Sequence, residues 1–119
     1  MARDAALVTT WGSPVRGREA KAIEVFMEGL AFWGKQAAEG RCLDPEPYLS
    51  ADGSGGMAIV RGKSDVLMEI ATSDEALKLV DKGQLICEGL TSTWYFTGQD
   101  EIQRLMSQFA ETGQELGYM

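Results

Sequence analysis

Trp11, Pro14, Arg16 and Arg18 fall together where a first apolar segment gives way to a helical one. Two arginines beside an indole, close to a helix N-terminus, can hold an anion such as a carboxylate through charge-assisted hydrogen bonds and free backbone N–H groups. The alternative is a solvated loop with Trp11 turned into the core. A second group is Glu46, Tyr48, Trp94 and Tyr95. These can line a space between a sheet and its helices, giving a small apolar or aromatic ligand aromatic walls with a few polar tips. There Tyr48 or Tyr95 can donate a proton, and Glu46 can act as a base if burial raises its pKa. The alternative is core and interface filler.

Other residues invite chemistry less. Glu19 in a first helical turn is accounted for by the helix dipole. Cys87 has no histidine or nearby cation to ionise it, so a buried structural thiol is expected. Cys42 and Cys87 form no C-x-x-C and are expected to be reduced. Gly53-Ser54-Gly55-Gly56 lacks the lysine and following helix of a phosphate-binding loop. Asp44, Glu46 and Asp52 lack calcium-loop spacing. The chain contains no His and no Asn. Ser-His and Cys-His pairs, histidine-based metal sites and proximal-His haem ligation are therefore excluded. No metal and no cofactor is expected.

The elements that must carry these residues follow from length and pattern. A chain of 119 residues fits one domain, residues 1–119. With 45% hydrophobic and 24% charged residues it can build a real core, which sets disorder aside. A net charge of -7 repels phosphate backbones and anionic lipid, so neither nucleic acid nor membrane is expected as a partner. No apolar run approaches the ~20 residues of a membrane span, and the N-terminal run is too short for a signal peptide. The cytoplasm is the expected compartment.

Ala5 to Trp11 reads as a strand, broken by Gly12-Ser13-Pro14. A helix follows from about Arg18 to Glu39, stopped by Gly40. Ile23, Phe26, Met27, Leu30, Trp33, Gly34 and Ala37 predict its core-facing stripe, with Ala22, Val25, Gly29 and Phe32 as a weaker second line. Gly29 and Gly34 suggest either tolerated loss or close approach by another backbone, from the last helix or a second subunit. Pro45 and Pro47 restrict Leu43 to Ser50 to an edge strand or a loop leading into one. After a flexible glycine-rich turn, Met57 to Arg61 is the next strand. Ser64 is expected to cap a short helix to Ala71, and Thr72 with Glu75 to box a second helix running to about Lys82 and ended by Gly83. Leu90 to Thr97 alternates strongly, with Trp94 and Phe96 on one face and Tyr95 on the other. A final helix begins at Asp100 and carries Ile102, Leu105, Met106, Phe109 and Leu116 at helical spacing.

The order β-α-β-β-α-β with an added C-terminal helix is the ferredoxin-like α+β pattern: an antiparallel sheet with helices on one face. The other face carries apolar, aromatic or Thr residues, with Arg61 the exception. A bare patch of that kind marks an interface, and two subunits packed sheet against sheet about a two-fold axis cover it economically. A homodimer is expected.

The segments Gly12-x-Pro14, Gly17-Arg18-Glu19, Ala22-Ile23-Glu24-Val25-Phe26, Phe32-Trp33-Gly34, Glu46-Pro47-Tyr48-Leu49 and Met57-Ala58-Ile59-Val60-Arg61-Gly62 resemble a family of uncharacterised bacterial proteins in the dimeric α+β barrel group. The resemblance covers nearly the whole chain. It implies the barrel fold and the dimer, and no activity. Barrels of this shape include cofactor-independent monooxygenases, haem-degrading enzymes, dehydratases and regulatory ligand-binding domains, among which fold cannot choose. Two readings stand: a homodimeric domain binding a small apolar or aromatic compound, and a cofactor-independent enzyme acting on an aromatic or polyketide-like substrate. An enzyme requires a pocket of at least ~300 Å³ in which a carboxylate or phenol converges with an arginine.

Overall fold

The computed structural model describes residues 2–119. Its elements run β1 (Asp4–Trp11), α1 (Glu19–Ala38), β2 (Glu46–Leu49), β3 (Gly56–Lys63), α2 (Ser64–Ala71), α3 (Asp74–Ile86), β4 (Thr91–Phe96) and α4 (Gln99–Glu115). The four strands form one antiparallel sheet in the order β2-β3-β1-β4, the ferredoxin-like α+β arrangement with an added C-terminal helix. The apolar, β-branched β1 takes a central place between β3 and β4. The proline-bearing β2 takes an edge, where a missing N–H costs no ladder bond. Among the described residues no helix is long and apolar enough to cross a membrane.

Register decides which residues share a face. Leu7 lies opposite Val60 on one side and Trp94 on the other, while Ala6 lies opposite Arg61 and Tyr95. Because side chains alternate along a strand, Leu7, Val60 and Trp94 share one face and Ala6, Arg61 and Tyr95 the other. The first face is covered by helices. α2 lies directly on β1 and β3, burying Leu67 completely and Ile70 to 1% exposure. Full burial of such side chains stabilises by roughly 1.5–3 kcal/mol each. Leu67 joins Ala5 and Val60 in one cluster, and Ile70 joins Phe32 and Ala76 in another. α1 and α3 pack along each other and stand off from the strands.

α1 ends as its sequence predicts. Gly40 adopts φ 78°, Arg41 N–H donates to Gln36 O at 3.0 Å, and Gly40 N–H donates to Ala37 O at 2.9 Å. This pair of bonds satisfies the last carbonyls and needs a residue free of a Cβ at Gly40. The faces of α1 differ from expectation. The two apolar lines form a single broad inward face with Ala22, Phe26, Gly29 and Trp33 in its middle and Phe32 at one border, whereas Met27 is 57% exposed. At 100° per residue Met27 lies too far round to reach the interior. No atom lies within 4 Å of a Cβ placed on Gly29 or Gly34, so no described backbone of this chain, α4 included, approaches either glycine.

Three helix boundaries also move. Ser64 does not cap α2; its hydroxyl accepts the Arg3 N–H at 3.0 Å, tying the start of β1 to that helix. Ser73, not Thr72, caps α3 by accepting from Ala76 N–H, while the Thr72 hydroxyl donates to Met68 O at 2.7 Å and closes α2. A hydroxyl on Cβ serves either end, and here Thr72 serves the end of one helix while Ser73 takes the start of the next. Gly83 does not end α3, which continues to Ile86; it lies buried inside the helix, where a Cβ would overlap Leu90 Cδ1.

α4 leaves the sheet after Gly98 and buries none of its residues. Ile102, Met106, Phe109 and Leu116 are 42–71% exposed. The radius of gyration is accordingly 16.9 Å, against roughly 13.5 Å for a compact chain of this length.

Candidate functional site

Between the helix-covered sheet face and the standing-off pair α1 and α3 lies a cavity of about 620 Å³. Its floor is Leu7, Thr9 and Trp11 of β1, Ala58 and Val60 of β3, and Ser92 and Trp94 of β4. α1 contributes residues from Glu19 to Trp33, a run of helix about 21 Å long at 1.5 Å per residue. α3 contributes its apolar side, including Leu79 and Val80. All three tryptophans of the chain are on the wall. Trp11 meets Phe26 edge to face at 5.8 Å, and Trp33 meets Phe32 in the same way at 5.4 Å. Such geometry holds the rings in fixed orientations.

The polar groups are few. Thr9 and Ser92 pair their hydroxyls at 3.0 Å across the floor. Thr72 spends its hydroxyl on Met68 O. Burial pushes the Cys87 thiol up from its ordinary value, which keeps it neutral. Among the described residues Glu19 is the only charged one on the wall. It is solvent-exposed and sits at the end where β1, α1 and α3 meet, an end tied together by Val15 N–H to Ile86 O (2.8 Å), Gly12 N–H to Glu88 O (2.7 Å) and the bridge between Pro14 and Cys87.

Of the residues the sequence points to, Trp11 and Trp94 line this cavity. Arg16 and Arg18 do not. Arg16 lies in the loop before α1, and Arg18 Nη1 donates to Leu85 O at 2.5 Å, pinning the start of α1 to the end of α3. Arg18 thus spends one N–H on the backbone, and neither guanidinium lines the cavity. Glu46, Tyr48 and Tyr95, expected between sheet and helices, fall on the opposite sheet face. There Tyr48 OH donates to Glu46 Oε2 at 3.0 Å, and Arg61 forms an ion pair with Glu46. Tyr95 lies two strands beyond Arg61, beside Ala6. Strand alternation separates two faces but does not say which one the helices choose. Leu7 beside Ala6 on the central strand is the signal that decides it, because the larger apolar side chain goes to the core. Trp33, Thr9 and Ser92 carry no sequence signal beyond an ordinary helix or strand pattern, and the helix dipole alone accounts for Glu19 there. Among the described residues no group of three or more His, Cys, Asp or Glu could hold a metal ion.

No family model and no curated protein matches the chain. Solved structures do. Rv0793 from Mycobacterium tuberculosis is 18% identical, with a TM-score of 0.65 over 81% of this chain and 96% of its own. SnoaB, a cofactor-independent oxygenase from Streptomyces nogalater, is 15% identical, with a TM-score of 0.65 over 82% of this chain and 96% of its own. A protein from Caulobacter crescentus, assigned as an antibiotic biosynthesis monooxygenase, is 18% identical, with a TM-score of 0.62 over 82% of this chain and 92% of its own. At such identities the likeness carries architecture alone: the chain has the ferredoxin-like α+β fold of the antibiotic biosynthesis monooxygenase-like proteins.

Proposed function

We propose that the chain is a cytoplasmic, homodimeric, single-domain protein that binds a small apolar or aromatic compound between its sheet and the α1–α3 pair. The cavity of about 620 Å³ carries this reading. Protein interiors pack like organic crystals, and voids much larger than a water molecule are few. A space of this size, walled by three indoles and aliphatic side chains, falls within the ~300–1,000 Å³ typical of ligand pockets. Binding of this kind needs no cofactor, and the acidic surface favours neither nucleic acid nor membrane.

The homodimer rests on surface that one chain leaves uncovered. The accessible area is 8038 Å², roughly 1,700 Å² above that of a compact monomer of this mass. That excess suits one side of an obligate dimer interface. The open sheet face, with Val8, Ile59 and Tyr95, and the apolar side of α4 supply it. A two-fold axis lets one such surface cover another.

A thermal-shift screen of small aromatic and hydroxy-aromatic compounds tests the binding. A ligand of the folded state alone must raise the unfolding temperature as its concentration rises. No shift across a broad set contradicts the reading.

A second reading, a cofactor-independent oxygenase, is favoured by one observation: a single charged residue, the solvent-exposed Glu19, borders an otherwise apolar aromatic cavity. Such a group could take a proton from a hydroxy-aromatic substrate. Among the described residues no arginine and no phenol lines the cavity with it, so the convergence expected of an enzyme is incomplete and binding is the better-supported reading. Dioxygen consumption with hydroxy-aromatic compounds, in metal-free and flavin-free buffer, separates the two.

A further inference from the structure

We infer that the cavity selects its ligand by head-group charge: it takes an apolar body carrying a hydroxyl or ammonium group, held at Glu19, and turns away carboxylates. The inference rests on the cavity being a binding site and deepens that reading.

Three observations lead to it. First, the exposed Glu19 is the only acidic or basic residue on the wall among the described residues; no lysine and no arginine joins it there. The guanidinium nearest in sequence, Arg18, is turned to the Leu85 carbonyl instead. An anionic head therefore finds no counter-charge inside. Second, the remaining polar groups on the wall are uncharged and largely engaged. Thr9 and Ser92 share one hydrogen bond, which leaves a single O–H between them, and Thr72 donates to Met68 O. The solvent-exposed Glu19 carboxylate enters no hydrogen bond or ion pair among the described residues, so a donor on the ligand competes for it with water and not with another side chain. Third, Glu19 stands at one end of the run that reaches Trp33, so a ligand with one polar end can place it there and lay its apolar length along α1. The positive end of the α1 dipole adjoins this place and by itself favours an anion, but the carboxylate of Glu19 already meets that field, and a second negative charge would face the first.

The test uses three compounds sharing one body: naphthylethanol, naphthylethylamine and naphthylacetate, titrated calorimetrically into the whole chain. The amine is expected to bind up to about fivefold more tightly than the acid, as for an exposed charge pair, with the alcohol between them. Glu19→Gln should weaken the amine and strengthen the acid, bringing the three affinities together. Glu24→Gln is the control for net charge, because Glu24 is exposed, pairs with Lys21 at 2.9 Å and does not line the cavity; it should leave the spread unchanged. Naphthylacetate binding as tightly as naphthylethanol overturns the inference. So does a spread that survives Glu19→Gln, or one that Glu24→Gln narrows equally, which would assign discrimination to the overall charge. Failure of all three compounds alike removes the cavity reading itself, and circular dichroism of each variant separates loss of fold from loss of selectivity.

Discussion

Trp94 and Tyr95 are neighbours in β4 with opposite surroundings: Trp94, paired with Leu7, lies on the cavity floor, and Tyr95, paired with Ala6, faces away from the helices. One peptide unit thus separates the proposed ligand site from the proposed subunit interface.

The two should be separable by mutation. Trp94→Ala is expected to reduce ligand affinity by about tenfold or more through lost aromatic contact, with little change in association. Tyr95→Glu is expected to place a charge in the interface and shift the protein toward monomer, with the cavity wall intact. Calorimetry and analytical ultracentrifugation on both variants check the pair of outcomes. Equal effects of both changes on both measurements would contradict the division.

The helix α4 belongs to the same argument. Its apolar row is exposed and has no home among the described residues of its own chain. Replacing Phe109, 71% exposed, with Asp should cost a lone chain under about 0.5 kcal/mol, as for an ordinary surface site. In a dimer that covers the row, the same change should weaken association by at least tenfold, a loss of ~1.4 kcal/mol. Sedimentation over a dilution series distinguishes the two.

Two helical glycines are informative. Gly83 lies against Leu90 Cδ1, the tip of a half-buried side chain bordering the cavity, so Gly83→Ala gains helix propensity while that tip turns aside, with an expected net change of no more than about 1 kcal/mol in urea denaturation. Gly29 faces open cavity, with no atom within 4 Å of an added Cβ. Gly29→Leu should therefore hold or raise stability, by up to about 1 kcal/mol from propensity alone, while filling the space a ligand would take.

The cysteines report on pH and on occupancy. Burial raises the pKa of both Cys42 and Cys87 above the ordinary thiol value. A thiol whose folded pKa is raised contributes stability that is fully present below the unfolded pKa and is lost as pH rises through the folded one. Stability should therefore fall on the alkaline side, and Cys87→Ser should flatten that fall. At mildly alkaline pH both thiols should react with disulfide reagents more slowly in the folded chain than in urea. A cavity ligand should slow Cys87 further and leave Cys42 unaffected, because only Cys87 is on the wall.

Much of the fold is legible in residue patterns, and the reasons are local. Pro45 and Pro47 place β2 at an edge because proline lacks a donor, and Gly40 ends α1 because the left-handed position disfavours a Cβ. What escapes is set by tertiary choices. Alternation shows that Trp94 and Tyr95 part company, but only the pairing of β4 with β1 shows which of them meets the helices. Gly83 reads as a helix stop until Leu90 is seen to need its space. Arg16 and Arg18 carry no sequence sign that Leu85 O accepts a bond from Arg18 or that both stay off the cavity wall. The cavity has no local signature, since the residues that wall it are of the same kinds that fill a core.

Intrinsic tryptophan fluorescence tests the central claim most directly, because every tryptophan in the chain lies on the cavity wall. Titrating naphthylethanol into the native protein should change the emission in a saturable way, and the same titration of Gly29→Leu, still folded, should leave it flat. Emission that does not respond in the native chain, or that responds equally in Gly29→Leu, would contradict a ligand site between the sheet and α1.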